Sequence, residues 1–306
     1  ELIKPQNSQS AIVEIVDIAG LVKGASKGEG LGNKFLANIR ETHAIIHVLR
    51  CFEDSNITHV DGVIDPVNDK DVVDFELQLK DLETLTKRKE NLNRIANSGD
   101  QAALKELKII NQYFDHLSQG KSAKSLKIEN NECVLNLNLL TNKPVLYVCN
   151  VDEASISGNK YTDMVKKSLL DNEEMLIISA AIEADINELD DPSDKQEFLS
   201  EIGLKEPGVN KVIKSAYSLL GLHTFFTAGE KEVRAWTIKK GDLAPRAAGV
   251  IHTDFEKGFI RAEVISFLDR IEFKTEQACR EAGKISIEGK NYEVRDGDVI
   301  HFRFNV

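Results

Sequence analysis

The residues near the start of the chain that are best suited to chemistry are Asp17 and Gly20, in the sequence Asp17-Ile18-Ala19-Gly20. They end an apolar run, residues 11–17, which predicts a strand buried on both faces. An Asp at the end of such a strand can hold Mg²⁺ through water, and the Gly N–H can donate to a phosphate during its transfer. An Asp and a Gly after a strand also form ordinary turns, so this pair alone does not specify a phosphate site.

The segment that follows, residues 23–33 (KGASKGEGLGN), is rich in glycine. Four glycines fall within nine residues, and each loses much conformational freedom when the chain becomes ordered. This composition is typical of a loop that changes conformation with a bound ligand. A plain surface loop is the alternative.

Two further motifs, each after an apolar run, predict a site for a nucleotide base. Asn150-Val151-Asp152-Glu153 resembles the N-K-x-D of GTP-binding proteins, in which the Asp accepts hydrogen bonds from guanine. Because Glu153 is one methylene longer than Asp and Val151 replaces Lys, we expect weak guanine binding, whereas Asn150 can still pair with the amino group of adenine. The other motif resembles the S-A-x loop that packs on the base, and consists of Ser179, Ala180 and Ala181.

These motifs need a sheet to position them. Four runs rich in β-branched and aliphatic residues predict buried strands at residues 11–17, 43–51, 144–150 and 175–179. Helical patterns occur at residues 32–41, 161–170, 194–202 and 207–220. Strands that alternate with helices predict a doubly wound, parallel α/β sheet, whose ligands bind at the carboxyl ends of the strands.

The alternation is interrupted between residues 68 and 140. Apolar residues recur there at spacings of three and four, in two segments separated by the turn Asn97-Ser98-Gly99-Asp100. The pattern predicts an inserted helical hairpin that packs on its own apolar seam. The basic run Lys87-Arg88-Lys89 is either a solvated face or a contact for a partner.

Short strands follow residue 221, at residues 224–227, 233–238, 261–265, 292–294 and 300–304, with one main helix near residues 275–282. A small mixed sheet with one main helix predicts a β-grasp domain. We therefore predict a nucleotide-binding domain formed by residues 1–67 and 141–220, a helical insertion at residues 68–140, and a C-terminal domain at residues 221–306.

The composition excludes several classes of protein. A net charge of −11 argues against indiscriminate coating of nucleic acid, and the acidic excess lies in the first 220 residues because residues 221–306 hold 14 basic and 14 acidic side chains. No apolar run approaches the roughly 18 residues of a membrane span. We expect a cytoplasmic protein with no membrane partner, no DNA specificity and reduced thiols at Cys51, Cys133, Cys149 and Cys279.

With these motifs in this order, the chain resembles the Obg-like ATPase family (YchF-type) of translation-factor-class P-loop NTPases. The similarity includes the D-I-A-G-L-V-K-G-A-S-K-G-E-G-L-G-N loop, the helical insertion, the N-V-x-E motif, and residues 250–262 and 302–306. The resemblance implies ATP preferred over GTP, slow hydrolysis with Mg²⁺, association with ribosomes and a C-terminal TGS domain.

The resemblance also implies a G-x-x-x-x-G-K-[ST] phosphate-binding loop, and this sequence contains none. The chain begins at Glu1 rather than at Met. We therefore expect it to be a piece of a longer protein, with a nucleotide-binding sheet that is incomplete at its N-terminus, and we expect this piece alone to bind nucleotide weakly.

The motifs described so far include no side chain that could orient the water that attacks the terminal phosphate. Leu21 stands where many GTPases carry a Gln that orients the attacking water, and Leu cannot do so. His59, in a polar loop, is a candidate for reaching the terminal phosphate when that loop closes, and Gly20 is the candidate backbone donor. A histidine on a surface loop without a role is the alternative for His59.

The C-terminal domain carries three cations, His252, Lys257 and Arg261, close to Phe255 and Phe259. Such a set suits RNA or ribosome binding through phosphate pairing and base stacking. In the alternative, both phenylalanines belong to the core and the charges are solvated.

Together these features predict a nucleoside triphosphatase that hydrolyses ATP to switch its interaction with the ribosome or RNA. A nucleotide-independent RNA- or ribosome-binding adaptor is the second hypothesis, and it suits a chain without a phosphate-binding loop. A guanine-specific GTPase is a third, and Glu153 and Val151 argue against it.

Overall fold

A computed structural model describes residues 4–18, 31–59, 62–128 and 137–305. Contacts group the chain into two compact units, Val16–Ala216 and a second unit that joins Glu1–Ile15 to Tyr217–Val306. The strands in chain order are β1 (Asn7–Gln9), β2 (Ile45–Arg50), β3 (Val145–Asn150), β4 (Glu174–Ile178), β5 (Leu222–Ala228), β6 (Glu232–Lys239), β7 (Phe259–Ile265), β8 (Ser286–Glu288) and β9 (Val299–Phe304).

The helices, again in chain order, are α1 (Leu31–Glu41), α2 (Pro66–Ala96), α3 (Gln101–Ser118), α4 (Lys160–Ser168), α5 (Ala180–Glu188), α6 (Pro192–Glu201), α7 (Gly208–Leu219), α8 (Ala244–Ile251), α9 (Thr253–Lys257), α10 (Phe267–Phe273) and α11 (Glu276–Glu281). In the part of the chain that the structure describes, no helix is long and apolar enough to cross a membrane.

The unit Val16–Ala216 contains a parallel sheet with the order β2-β3-β4. β3 lies in the middle and its side chains from Leu146 to Cys149 are buried, as expected of a strand covered on both faces. The register pairs Arg50 with Asn150, and Asn150 with Ile178. The carboxyl ends of the three strands therefore meet at one edge, and the α/β fold predicted from the sequence is confirmed.

The strand predicted at residues 11–17 is wrong. Described residues 10–18 contain no strand, and Ile12 is 83% exposed. A strand requires a neighbour to pair with its backbone, and the parallel sheet ends at β2 among the described residues. The segment before it forms β1, which pairs in parallel with β6, so contacts group residues 1–15 with the C-terminal unit rather than with the predicted nucleotide-binding domain.

The helical insertion is confirmed as a hairpin of α2 and α3. Asp100 caps α3 by accepting hydrogen bonds from two backbone N–H groups, and Gly99 provides the turn with a φ of +89°. Buried side chains from both helices form the seam: Leu85, Leu92, Ala103, Ile109, Ile110, Tyr113 and Leu117. The basic run is engaged within the hairpin, since Lys87 pairs with Glu83 and Arg88 with Glu106.

A buried carboxylate fastens α2 to the segment that returns to the sheet. Asp81 is fully buried and accepts hydrogen bonds from the backbone N–H groups of Leu140 and Thr141, both at 2.8 Å, and from the Thr141 hydroxyl at 2.7 Å. Burial raises the pKa of Asp81, and these three donors oppose the rise. All donors in this network depend on one side chain, which makes Asp81 a strong determinant of how the hairpin joins the sheet.

The C-terminal unit is a mixed sheet with the order β1-β6-β5-β9-β7-β8. Its core includes Phe225, Ile238, Val264 and Phe302 together with three alanines of α8. The predicted small mixed sheet is therefore present, but it carries α8, α9 and α10 in addition to the one helix that we predicted. The strand predicted at residues 292–294 is wrong, because Glu293 forms only an isolated bridge with Leu243.

Candidate functional site

The carboxyl ends of β3 and β4 bring the two predicted base motifs to one edge of the sheet, beside the end of β2. Asn150 is the last residue of β3, and its Oδ1 accepts a hydrogen bond from the backbone N–H of Ala180 at 3.0 Å. This contact identifies the oxygen of the amide, because the backbone N–H can only donate. The Nδ2 group of Asn150 makes no hydrogen bond to the described residues, so it is available as a donor at the end of β3.

Val151 and Glu153 follow Asn150 and are placed very differently. Val151 is buried in the cluster that contains Leu49 and Val165, and its N–H donates to the Ile178 carbonyl at 2.9 Å. Glu153 is exposed and begins a short 3₁₀ turn, Glu153–Ser155. Val151 thus anchors the loop, while the carboxylate of Glu153 remains available to a ligand.

The motif that resembles the S-A-x loop begins a helix instead of forming a loop. Ser179 is the residue before α5, and Ala180 and Ala181 are the first two residues of that helix and are exposed. Ser179 is only 3% exposed, yet its Oγ has no hydrogen-bond partner among the described atoms. A buried hydroxyl without a partner is uncommon in folded proteins, and here it lies beside Asn150.

Glu183, which no predicted motif singles out, fixes α5 against α7. Its carboxylate accepts hydrogen bonds from the N–H groups of Gly208, at 2.6 Å, and Val209, at 3.1 Å. A carboxylate at a helix N-terminus satisfies free N–H groups and complements the helix dipole. Pro207-Gly208 at the start of a helical pattern is a sequence signal for the capped helix, but its partner Glu183 lies 25 residues away.

His59 lies in the loop between β2 and α2 and contacts α2. Its Nε2 lies 3.1 Å from Oδ2 of Asp69 in the first turn of α2, and its side chain is 17% exposed. His59 is therefore not an isolated surface residue, and its ring has a defined orientation.

The loop that carries His59 is also attached to α4. Asn159, the N-cap of α4, donates from Nδ2 to the Cys51 carbonyl at 2.7 Å. Glu53 accepts hydrogen bonds from Lys160 at 2.8 Å and from the Tyr161 hydroxyl at 2.5 Å, and these contacts hold the pKa of Glu53 below its usual value. The loops after β2 and β3 are thus joined into one structure.

The predicted phosphate side of the site is only partly described. Gly20 and residues 23–30 of the glycine-rich segment lie outside the described residues. Asp17 is exposed. A single exposed carboxylate fits Mg²⁺, which commonly keeps most of its waters and is bound through one or two carboxylates together with substrate phosphates.

The three predicted RNA-binding cations lie in the C-terminal unit and are exposed: His252, Lys257 and Arg261. Phe259 is in the core, and Phe255 packs on Phe304 with ring centroids 3.7 Å apart. The alternative prediction, that both phenylalanines belong to the core, is confirmed for Phe259, while Phe255 is half-buried and packs against the same core. It follows that Phe259 offers no stacking surface, while the three cations remain candidates for phosphate contacts.

Two family models match the chain. One, MMR_HSR1, is described as "50S ribosome-binding GTPase" and matches residues 3–86. The other, YchF-GTPase_C, is described as "Protein of unknown function (DUF933)" and matches residues 222–305. The second match lies in the predicted C-terminal part, whereas the first begins in the predicted nucleotide-binding part and extends into the helical insertion as far as residue 86.

Several curated proteins are similar over the whole chain. "Ribosome-binding ATPase YchF" of Escherichia coli O157:H7 is 50% identical over 309 aligned positions, which cover 100% of this chain and 85% of that protein. The protein of the same name from Bacillus subtilis (strain 168) is 48% identical over 312 positions, with the same coverage. A solved structure, "Structure of the Schizosaccharomyces pombe YchF GTPase", matches with a TM-score of 0.87 and 38% identity, covering 99% of this chain and 83% of that one. Identity at this level over the full chain shows that the protein belongs to the YchF family.

Proposed function

We propose that the protein is a nucleoside triphosphatase that prefers ATP over GTP, uses Mg²⁺, and acts in the cytoplasm as a nucleotide-dependent switch on the ribosome. The observation that carries the proposal is the Asn150–Ala180 hydrogen bond, because it orients a free amide donor at the carboxyl edge of a parallel sheet. The names of the relatives, which include "Ribosome-binding ATPase", support the activity and the partner.

The base site favours a purine through Asn150. Its free Nδ2 donor suits N7, an acceptor that adenine and guanine share, so this contact alone does not distinguish them. The second lone pair of Oδ1 can still accept from the adenine amino group.

Replacing Asn150 with alanine is expected to weaken ATP and GTP binding by about 10-fold each, the effect of one lost hydrogen bond in a desolvated site. Calorimetric titration of both nucleotides measures this. Asn97→Ala, at the exposed tip of the helical hairpin, is the matched control and should bind as the wild type does. Equal affinities for Asn150→Ala and the wild type would reject the base site.

Glu153 is proposed to set the preference between ATP and GTP. Its carboxylate is exposed at the site but is one methylene longer than the Asp that accepts the guanine donors in N-K-x-D proteins. Glu153→Asp is therefore expected to raise GTP affinity several-fold, about 1 kcal/mol, with little change for ATP. Competition between the two nucleotides measures the ratio. If the ratio of ATP to GTP affinity is the same in Glu153→Asp and the wild type, residues other than Glu153 set the preference for ATP.

Hydrolysis would depend mainly on positioning and electrostatics. A bound Mg²⁺, held by Asp17 through water, would supply charge that stabilises the transferring phosphoryl group. His59 would orient the attacking water in place of a Gln, and its hydrogen bond to Asp69 fixes the ring and its tautomer. The backbone N–H of Gly20 would donate to the terminal phosphate.

The second candidate function is a nucleotide-independent RNA- or ribosome-binding adaptor. The exposed side chains of His252, Lys257 and Arg261 favour it, since Lys257 and Arg261 carry accessible positive charge and an imidazole N–H can donate to a phosphate oxygen. Sedimentation with ribosomes separates the two functions. A switch binds differently in ATP and ADP, whereas an adaptor binds equally with either nucleotide or none.

A further inference from the structure

The loop after β2, residues 51–59, contains no regular strand or helix but has a defined conformation. One side chain accounts for much of it. Arg50, the last residue of β2, donates from Nε to the Phe52 carbonyl at 3.2 Å, from Nη2 to the Asp54 carbonyl at 3.1 Å, and from Nη1 to the Ile57 carbonyl at 3.0 Å. Its guanidinium also lies 4.9 Å from the centre of the Phe52 ring.

These contacts make Arg50 the centre around which the loop folds. Three different guanidinium nitrogens reach three carbonyls of the same loop, and a flat cation can stack on a ring while it does so. A lysine ammonium is a compact charge that cannot span three carbonyls in this arrangement. Within the loop the further support is short-range, such as the hydrogen bond from the Asn56 N–H to Asp54 Oδ1 at 2.8 Å. From outside, α4 and its N-cap contact the loop at Cys51 and Glu53, near its start.

Arg50 also connects the loop to the base site. Its main chain pairs with Asn150 in the parallel ladder, so the residue that folds the loop lies beside the residue that orients the amide donor. At its other end the loop reaches His59, which is hydrogen-bonded to Asp69. The position of His59 thus depends on how the loop folds between Arg50, which is held in β2, and the hydrogen bond to Asp69.

We propose that Arg50 is a positioning residue, which holds the loop of residues 51–59 in the conformation that presents His59 to the terminal phosphate. This inference rests on the proposed function, since it assigns Arg50 a role in hydrolysis. Arg50 itself touches neither the phosphate nor the water in this account. Its contribution is to the geometry of His59, where small displacements lower the rate strongly.

The test compares Arg50→Lys with the wild type and with Arg88→Lys, in the full product of the gene. Arg88 is the matched control because it forms an ion pair with Glu106 on the hairpin, with Nη2 and Oε1 2.7 Å apart. For Arg50→Lys we expect kcat to fall about 10-fold or more, with a nucleotide Kd within about 2-fold of the wild type. Arg88→Lys should change neither quantity.

A double substitution separates positioning from a general structural role. If Arg50 acts through His59, then Arg50→Lys causes no further loss of kcat once His59 is alanine. Additive losses in Arg50→Lys/His59→Ala, or a Kd that rises as much as kcat falls, would overturn the proposal.

Hydrogen exchange on the 306-residue chain tests the structural half without any activity. Arg50→Lys is expected to raise amide exchange about 10-fold in residues 52–59 while β3 stays protected. If amide exchange in the loop is the same in Arg50→Lys and the wild type, the inference about Arg50 fails, regardless of any change in kcat. If exchange rises but the wild-type protein hydrolyses no nucleotide, the proposed function fails, and Arg50 retains only its role in folding the loop.

Discussion

Replacing His59 with alanine is expected to lower ATP turnover about 10²-fold or more while nucleotide affinity stays nearly constant. General acid–base or water-orienting groups typically contribute about 10²–10⁴-fold to a rate, and His59 is the candidate because Leu21 cannot orient water. The ring is held by Asp69 at 3.1 Å, so its loss removes a group that is already oriented. Single-turnover hydrolysis gives the rate, and calorimetry gives the affinity.

His116→Ala is the control for this experiment. His116 lies in α3 and contacts the Ser125 hydroxyl at 2.7 Å, so like His59 it contacts a polar side chain, but it lies on the hairpin. It should hydrolyse ATP at the wild-type rate. Unchanged turnover in His59→Ala would reject the catalytic role of His59, and the water would need another partner.

Replacing Asp81 with alanine is expected to lower the free energy of unfolding by about 3–5 kcal/mol at neutral pH. The substitution leaves the N–H groups of Leu140 and Thr141 and the Thr141 hydroxyl buried without an acceptor. Urea unfolding followed by circular dichroism of the helices measures the change. The single tryptophan, Trp236, lies in the other unit, so its fluorescence is not the appropriate signal.

Asp71→Ala is the matched control, since Asp71 is a carboxylate on the same helix whose side chain is 65% exposed. Its ion pair with Lys70 should contribute less than about 1 kcal/mol. A loss in Asp81→Ala no greater than in Asp71→Ala would show that the buried network does not fasten the hairpin.

The stability difference between the wild type and Asp81→Ala should also depend on pH. Burial raises the pKa of Asp81 in the folded state above its unfolded value, so the folded protein binds more protons between the two values. The stability that Asp81 gains from this shift is fully present below its pKa in the unfolded chain. It is lost as the pH rises through its pKa in the folded protein. The difference should therefore be widest in acid and narrow toward neutral pH.

The strands of the parallel sheet could be predicted because each is a continuous apolar run of the right length between helical patterns. Residues 11–17 have the same composition and form no strand, since a run of apolar residues does not specify which neighbour completes its backbone pairing. The helices α8 and α10 were missed for a different reason. The fully buried residues of α8 are small, Ala244, Ala247 and Ala248, and α10 buries no residue fully, so neither helix buries a large apolar side chain completely.

The residues of the candidate site also divide into those that the sequence predicts and those that it does not. Asn150 and Ser179 were predicted because polar residues after buried strands meet at one edge of a parallel sheet. Arg50 and Glu183 were not, because their partners are backbone groups, which every residue carries and which leave no signal in the sequence. Such roles depend on the path of a loop or the start of a distant helix, and only the folded chain shows them.

The most direct test of the account is calorimetric titration of ATP-Mg²⁺ and GTP-Mg²⁺ into the 306-residue chain and into the full product of its gene, where that is longer. We predict that the full product binds both nucleotides and prefers ATP, and that the chain without a G-x-x-x-x-G-K-[ST] sequence binds weakly. If the full product binds neither nucleotide, the triphosphatase proposal is contradicted, and the nucleotide-independent adaptor becomes the function to pursue.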